Sequence, residues 1–465
     1  MTILALDLGT SSVRGLVLDA DAVPLPGALA RRPVEIALGA DGAATLDGPA
    51  YLAALGECLD ELAAAGRLDG VELVAASAQW HSVVPLDAAG DPLGPVLTWL
   101  DTRPAPLPGS PVPRDPTAFH HRTGTWWHRF YWNVRLPWLR ERVGSPAARF
   151  AGLVEYVYGK LLESAPMSVS QASATGMLDL RSMTWDAEGC ELAQVRAGEL
   201  PELAPHDWRG RLRPEQARRW PALRAARWAP PVGDGAASNV GCRAVDQDWA
   251  AVSVGTSAAV RLVQPAPADG ALPPLPPALW RYRVDHRHIV TGTAFSAGGN
   301  LYAWATRTLR LPAGAQLAAA LDRLPPGGGV PADPRFGGDR PPGLAPAGSG
   351  QLAGLSLNTG AVDILAGLMS ALCRQVEAGL DEIESTVPKR VRVVLGGGAV
   401  AASPWWRRSF ARTLAPREVW HATNPETGAT GAALVAIGRL DGAIGIEALG
   451  RTDEPPTGAA TGPAR

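Results

Sequence analysis

The stretch Leu6-Asp7-Leu8-Gly9-Thr10-Ser11-Ser12-Val13-Arg14-Gly15 decides how this chain is read. An apolar run starting at Ile3 delivers a carboxylate, Asp7, into a turn of small and hydroxylated residues, and a second apolar run leaves it over residues 15–19. The pattern predicts a β-hairpin, with Gly9 and Gly15 where backbone freedom is useful. Small residues let main-chain N–H groups approach phosphate, hydroxyls add donors, and a carboxylate at a strand end can orient magnesium directly or through water. The bland alternative is a polar turn between strands. A partial second copy, Val252-Ser253-Val254-Gly255-Thr256-Ser257, favours the phosphate reading and implies two similar halves.

Size and composition agree with that division. A chain of 465 residues is long for one core, so two or more domains are expected. The net charge is −2 and charged residues make up 19%, so no broad basic field is present to hold nucleic acid or an anionic membrane. Cys58, Cys190, Cys242 and Cys373 are scattered without a C-x-x-C pair, which argues against a zinc knuckle, a redox motif or a dense disulfide frame. The amino terminus lacks a secretory pattern, and no segment reaches the roughly 20 apolar residues of a membrane span, so a soluble cytoplasmic protein is expected. The only lysines, Lys160 and Lys389, lie outside any G-x-x-x-x-G-K-[ST] loop, so a nucleotide here is held without a Walker lysine.

Along the chain, Leu52, Leu55, Leu59 and Leu62 predict a helix over 51–65, and residues 71–77 read as a buried strand. This is an α/β alternation. Residues 103–116 read as a Pro-rich loop, and 133–143 as an amphipathic helix with Val134, Trp138 and Leu139 on one side. Pro230-Pro231-Val232-Gly233-Asp234-Gly235 reads as an interdomain crossing. The expected domains are therefore 1–231 and 232–450, with 451–465 a frayed tail. In the second half, 362–383 predicts a long helix and 391–395 a buried strand, between Pro/Gly-rich excursions at 265–277 and 325–346.

Asp234 is the candidate general base. It sits between glycines at a helix start, where amide donors and the helix dipole favour an ionised carboxylate, and a phosphoryl acceptor hydroxyl needs a positioned base. An N-cap aspartate is the plain alternative. Gly298, Gly299 and Asn300 open another helix whose amides could meet phosphate, and Gly396-Gly397-Gly398 follows a strand without satisfying G-x-G-x-x-G. For an acceptor, Gln79-Trp80-His81 and Trp99-Leu100-Asp101-Thr102-Arg103 combine aromatic faces with groups that pair hydroxyls or a carboxylate. The aromatic run at 126–132 is a weaker candidate, and His120-His121 has no companion ligands at metal spacing.

Taken together, Asp7-Leu8-Gly9-Thr10-Ser11, Gln79-Trp80-His81, Trp99-x-Asp101-x-Arg103, Ala172-Ser173-Ala174-Thr175-Gly176, Gly233-Asp234-Gly235, Gly255-Thr256-Ser257 and Gly396-Gly397-Gly398 occur in the order that resembles the FGGY family of carbohydrate kinases. The resemblance runs from about residue 3 to about residue 440. It implies an α/β fold of two ribonuclease-H-like domains of the actin and sugar-kinase superfamily with a central cleft, using ATP and Mg2+. It also implies that Asp234 is the catalytic base and binds substrate, and that Asp7 serves the metal. Gly9, Thr10, Ser11, Ser12, Arg14, Gly255, Thr256, Ser257, Gly298, Gly299, Asn300, Gly397 and Gly398 would line the nucleotide, and Gln79, Trp80, His81, Trp99, Asp101 and Arg103 the acceptor. The similarity within the family is to gluconate kinases, through Glu155-Tyr156-Val157-Tyr158-Gly159 and Leu279-Trp280-Arg281-Tyr282-Arg283-Val284-Asp285, with xylulose kinases next. The expected reaction is phosphorylation of a terminal hydroxyl of a sugar or sugar acid, D-gluconate to 6-phosphogluconate. Alternatives are a pentulose or polyol kinase, a non-catalytic sugar or nucleotide sensor, or an actin-like ATPase, and a homodimer is among the expectations. Three positions depart from the family pattern: Trp80 for a commoner methionine, Arg135 for a lysine and Ser370 for an acid.

Overall fold

Thr2–Leu8 forms a strand in which Ile3, Leu4, Ala5, Leu6 and Leu8 are all buried. Such a continuous apolar run belongs to a strand covered on both faces. Its antiparallel partner Ser12–Leu18 returns at once, with Asp7 opposite Arg14, so the expected hairpin is present. On the other edge Thr2–Leu8 pairs in parallel with Val71–Ala78, setting Asp7 beside Ser77 and Leu8 beside Ala78. Pro24–Pro33 and Arg227–Trp228 extend this mixed sheet outward, and Val232–Gly233 joins the end of Val71–Ala78, with Gly233 beside Ala78. The helix Gly48–Ala64, capped by the Asp47 side chain, lies so close to the sheet that a Cβ on Gly15 would meet Leu62 at 2.9 Å.

The structure, a computed structural model, describes residues 1–143, 147–267, 270–342, 348–440 and 449–451. The chain forms two compact units, the first of Met1–Val245, Val263–Thr291 and Glu426–Gly442, the second of Asp246–Leu262, Gly292–Pro425 and Ala443–Arg465. The crossing at Val245 lies beyond Pro231, where the sequence places it. Residues 232–245 stay with the first unit because Val232–Gly233 pairs into its sheet and the following helix, Asp234–Gly241, packs against Thr427–Ala436. Those two helices meet main chain to main chain. A Cβ on Gly241 would lie 1.9 Å from the Thr427 carbonyl oxygen, and one on Gly431 1.7 Å from that of Ala237.

In the second unit, Trp249–Val254 and Ala258–Pro265 form an antiparallel hairpin around Gly255-Thr256-Ser257, and Arg392–Gly396 runs parallel to Trp249–Val254. The arrangement repeats that of the first unit, hairpin plus parallel neighbour. Val419–Ala422 and Leu449–Arg451 continue the sheet. Arg451, placed in the tail by sequence, thus pairs in a strand, and 452–465 lie outside the described residues. The long helix Ala361–Glu384 matches the expected one. Its Ser370 is buried and donates to the Gly328 carbonyl at 2.7 Å. Among the described residues no helix is long and apolar enough to cross a membrane. No disulfide joins the four cysteines.

Candidate active site

The carboxyl ends of the three parallel strands Thr2–Leu8, Val71–Ala78 and Val232–Gly233 carry Asp7, Gln79 and Asp234 to one edge of the first unit's sheet. That edge is where α/β sheets bind ligands. Asp234 is the first residue of the helix Asp234–Gly241 rather than its N-cap, which is Gly233, and Asp234 Oδ1 accepts from the Gly235 N–H at 2.8 Å. Glu426 is the N-cap of the neighbouring helix Thr427–Ala436. Two carboxylates therefore stand at adjoining positive helix ends. Arg14 donates to Glu426 at 2.9 Å and lies 3.8 Å from Asp7. Burial pushes the Asp7 carboxyl up to about 6, against the pull of Arg14 and with Asp234 and Glu426 adding to the rise. Gly428 leaves Asp7 room, since a Cβ there would sit 3.5 Å from its Oδ1.

Around Asp7, Gly9 N–H bonds the Ser12 carbonyl at 3.2 Å, and the Gly9 carbonyl accepts from Tyr51 Oη at 2.9 Å. Thr10 and Ser11 are accessible on the turn, while Ser12 is buried and its Oγ accepts from Arg14. Among the described residues no three His, Cys, Asp or Glu side chains form an all-protein metal cage. Magnesium does not demand one, because it keeps several waters and uses one or two carboxylates. Asp7, with 21% of its side chain exposed, and Glu426 beside Arg14 fit that requirement.

The candidate segments 79–81 and 99–103 lie on the loops that follow, joined through Arg135. Gln79 is 1% exposed, and both its amide oxygen and its amide nitrogen lack a partner in the protein. Buried amides without protein partners are rare, and a bound ligand or ordered water satisfies them. His81 has a left-handed backbone, φ 65°, which is uncommon outside glycine. Its Nδ1 lies 2.7 Å from the Ala174 carbonyl, which fixes the proton of the neutral ring on that nitrogen, and its ring packs on Phe130 at 4.3 Å between centroids. Trp80 is buried, its indole N–H donating to the Ser170 carbonyl at 3.2 Å. Trp99 is half-buried on the next loop. There Asp101 and Arg103 are committed to each other, Nε to Oδ1 at 3.0 Å and Nη2 to Oδ2 at 2.6 Å, and Asp101 also takes the Ala44 N–H. The pair shapes its own loop.

Two residues outside the candidate set build the site. Arg135, fully buried, donates to the carbonyls of His81, Thr98, Asp101 and Arg129, tying three loops to one guanidinium. Glu426 partners Arg14 from the far end of the chain. A charge at position 135 is legible in the sequence, but its carbonyl partners are not. Glu426 carries no signal beyond the small-residue run that follows it, Thr427-Gly428-Ala429-Thr430-Gly431.

In the second unit the three glycine clusters meet. Gly299 N–H bonds the Gly255 carbonyl at 2.7 Å, Asn300 N–H the Thr256 carbonyl at 3.1 Å, and Asn300 Oδ1 accepts from Gly298. A Cβ on Gly298 would lie 2.6 Å from the Ser257 main chain, and one on Gly397, whose φ is 99°, 2.4 Å from the Val254 carbonyl oxygen. Gly398 opens the short helix Gly398–Ala401. Beside these turns is a cavity of about 590 Å³ walled by Tyr302, Leu317, Leu321, Ala399, Ala402 and Trp405. The slot is mostly apolar and lies next to glycine turns, the setting in which a flat ring system can be buried. The second hairpin differs from the first in one respect. Ser253, which accepts from Arg261 at 2.9 Å, stands where the first has Asp7.

Residues 2–241 match the N-terminal domain, and residues 250–438 the C-terminal domain, of the FGGY family of carbohydrate kinases. A gluconokinase of Bacillus subtilis (strain 168) is 25% identical over 399 residues, covering 80% of this chain and 75% of its own. A xylulose kinase of Streptomyces coelicolor is 28% identical over 454 residues, covering 95% and 88%. The crystal structure of a gluconate kinase from Lactobacillus acidophilus superposes with a TM-score of 0.81 at 21% identity, over 94% of this chain and 89% of that one.

Proposed function

Because the chain belongs to the FGGY family of carbohydrate kinases, we propose that it transfers the γ-phosphoryl group of ATP to a terminal hydroxyl of D-gluconate, giving 6-phosphogluconate. The observation that carries the reading is the buried Gln79 amide with neither end satisfied, one strand over from Asp234 at the same sheet edge. A polyol chain supplies the hydroxyls such an amide pairs with, and Asp234 then accepts the proton of the attacking hydroxyl. Arg129 supports an acid. It is exposed on the loop that packs Phe130 on His81, and among the described residues its guanidinium holds a long 3.5 Å contact with the Thr102 carbonyl, whereas Arg103 and Arg135 make short bonds.

Main-chain and hydroxyl donors at Thr10 and Ser11, at Thr256 and Ser257, and at Gly397–Gly398 would bind phosphates, Gly298–Asn300 would hold the Gly255–Ser257 turn in shape, and the cavity at Leu317 and Trp405 would take the adenine. Arg14 orders the carboxylates at Asp7 and Glu426 rather than reaching for nucleotide. Magnesium, when bound, would neutralise phosphate charge, held by Asp7 and, through water, Glu426.

Xylulose is the second reading, favoured by the Streptomyces coelicolor relative, which matches over nearly the whole chain. A coupled ADP-release assay with gluconate, xylulose, ribulose and glycerol separates the readings. Gluconate is expected to give the highest kcat/KM. Xylulose in first place would replace the assignment, and no ADP with any acceptor would leave a sensor.

A further inference from the structure

The main chain entering Asp234 is held by two buried residues, Ser170 and Trp80. The Gly233 N–H donates to Ser170 Oγ at 3.0 Å. Trp80 presses on the other side, so closely that a Cβ on Gly233 would lie 1.7 Å from the indole nitrogen. That nitrogen donates to the carbonyl of the same Ser170. Ser173 Oγ donates to this carbonyl at 3.1 Å and accepts from the Arg283 N–H at 2.9 Å. Trp80 is 5% and Ser170 1% exposed. The indole is walled edge-on by Tyr282 at 5.1 Å and Trp280 at 6.0 Å, which stack on each other at 4.4 Å.

Taking Asp234 as the base proposed above, we infer that Trp80 and Ser170 are positioning residues that set where its carboxylate stands. Gly233 is the N-cap of the helix Asp234–Gly241 and has no side chain with which to fix the helix start. Ser170 instead ties down the Gly233 N–H, and Trp80 walls the turn. Both work through the segment Val169–Ser173, and the next residue, Ala174, anchors His81. One short segment thus references the base and an acceptor-side ring to the same frame. The indole contact itself requires glycine before the base. A displacement of the base on the order of 1 Å can cost about 10²-fold in rate.

The test uses the full chain with ATP and the best acceptor from the panel above. Ser170→Ala removes the acceptor for Gly233, Trp80→Phe removes the indole donor, and Ser170→Thr keeps the hydroxyl. Each variant is also made with Asp234→Asn. Ser170→Ala and Trp80→Phe are each expected to lower kcat about 10-fold or more, with KM for ATP within about twofold of the parent and Ser170→Thr close to the parent. In the Asp234→Asn background the same changes are expected to alter the residual kcat by no more than about twofold, because the group they position is gone. A loss of equal size in both backgrounds, or a folded Ser170→Ala with parental kcat, overturns the inference. If Ser170→Ala melts too low to assay, Trp80→Phe decides by the same comparison. Failure of the base assignment is read separately, as near-parental kcat in Asp234→Asn alone.

Discussion

Arg14 donates to Glu426 at 2.9 Å, joining the first hairpin of the chain to the start of a helix near its described end. The guanidinium also faces Asp7, so it compensates two carboxylates in a region where Asp234 adds a third. Replacing Arg14 by Leu leaves those charges uncompensated. The pair is about a fifth exposed, so the loss is discounted for solvent screening and expected at about 1–2 kcal/mol, read as a lower Tm without divalent cation. Added magnesium is expected to restore part of it. An unchanged Tm would show that the pair does not organise the site.

Arg135 is expected to control the acceptor and not the nucleotide. Its four carbonyl bonds come from the loops that carry His81, Asp101 and Arg129. Arg135→Lys keeps the charge but offers three donors on a flexible stem in place of a rigid five-donor fork. KM for the acceptor should rise roughly 10-fold, about the value of one charged hydrogen bond, while KM for ATP stays put. A rise in KM for ATP alone would place Arg135 elsewhere in the chemistry.

The opposite split is expected from Gly298→Ala. The added methyl would meet the Ser257 main chain at 2.6 Å, and main chain cannot yield without moving the Gly255-Thr256-Ser257 turn. Steady-state kinetics should show KM for ATP raised about 10-fold or more with KM for the acceptor little changed. Equal changes in both constants would count against a nucleotide cradle there.

Stability should fall toward alkaline pH because of Glu155. Burial pushes its carboxyl up to about 8, from an ordinary value near 4.5, so the folded protein holds a proton there that the unfolded chain releases. Stability from the neutral acid is fully present below about 4.5 and is lost as pH rises through about 8. Glu155→Gln, which cannot ionise, should therefore melt higher than the parent at pH 9 and lose that advantage toward pH 5. Parallel melting curves across that range would refute the assignment.

The Asp7 hairpin and its copy at Gly255 are legible in sequence because short-range alternation and turn chemistry determine them. Glycine runs that follow strands are legible for the same reason. Asp234 is legible as a candidate base, yet Pro230–Gly235 resembles a linker, and only the pairing of Gly233 with Ala78 reveals a strand of the first unit. Arg135 and Glu426 act through partners distant in the chain, on which local pattern is silent. Asp101 and Arg103, residue types suited to a sugar, also bond each other, a pairing the x-spaced motif does not show.

The most direct measurement is the kcat of Asp234→Asn with ATP and the best acceptor, alongside equilibrium titration of the nucleotide. A positioned general base accounts for about 10²–10⁴-fold in rate, so turnover should fall by that factor while nucleotide Kd stays unchanged. Near-parental kcat in the folded variant would contradict Asp234 as the base.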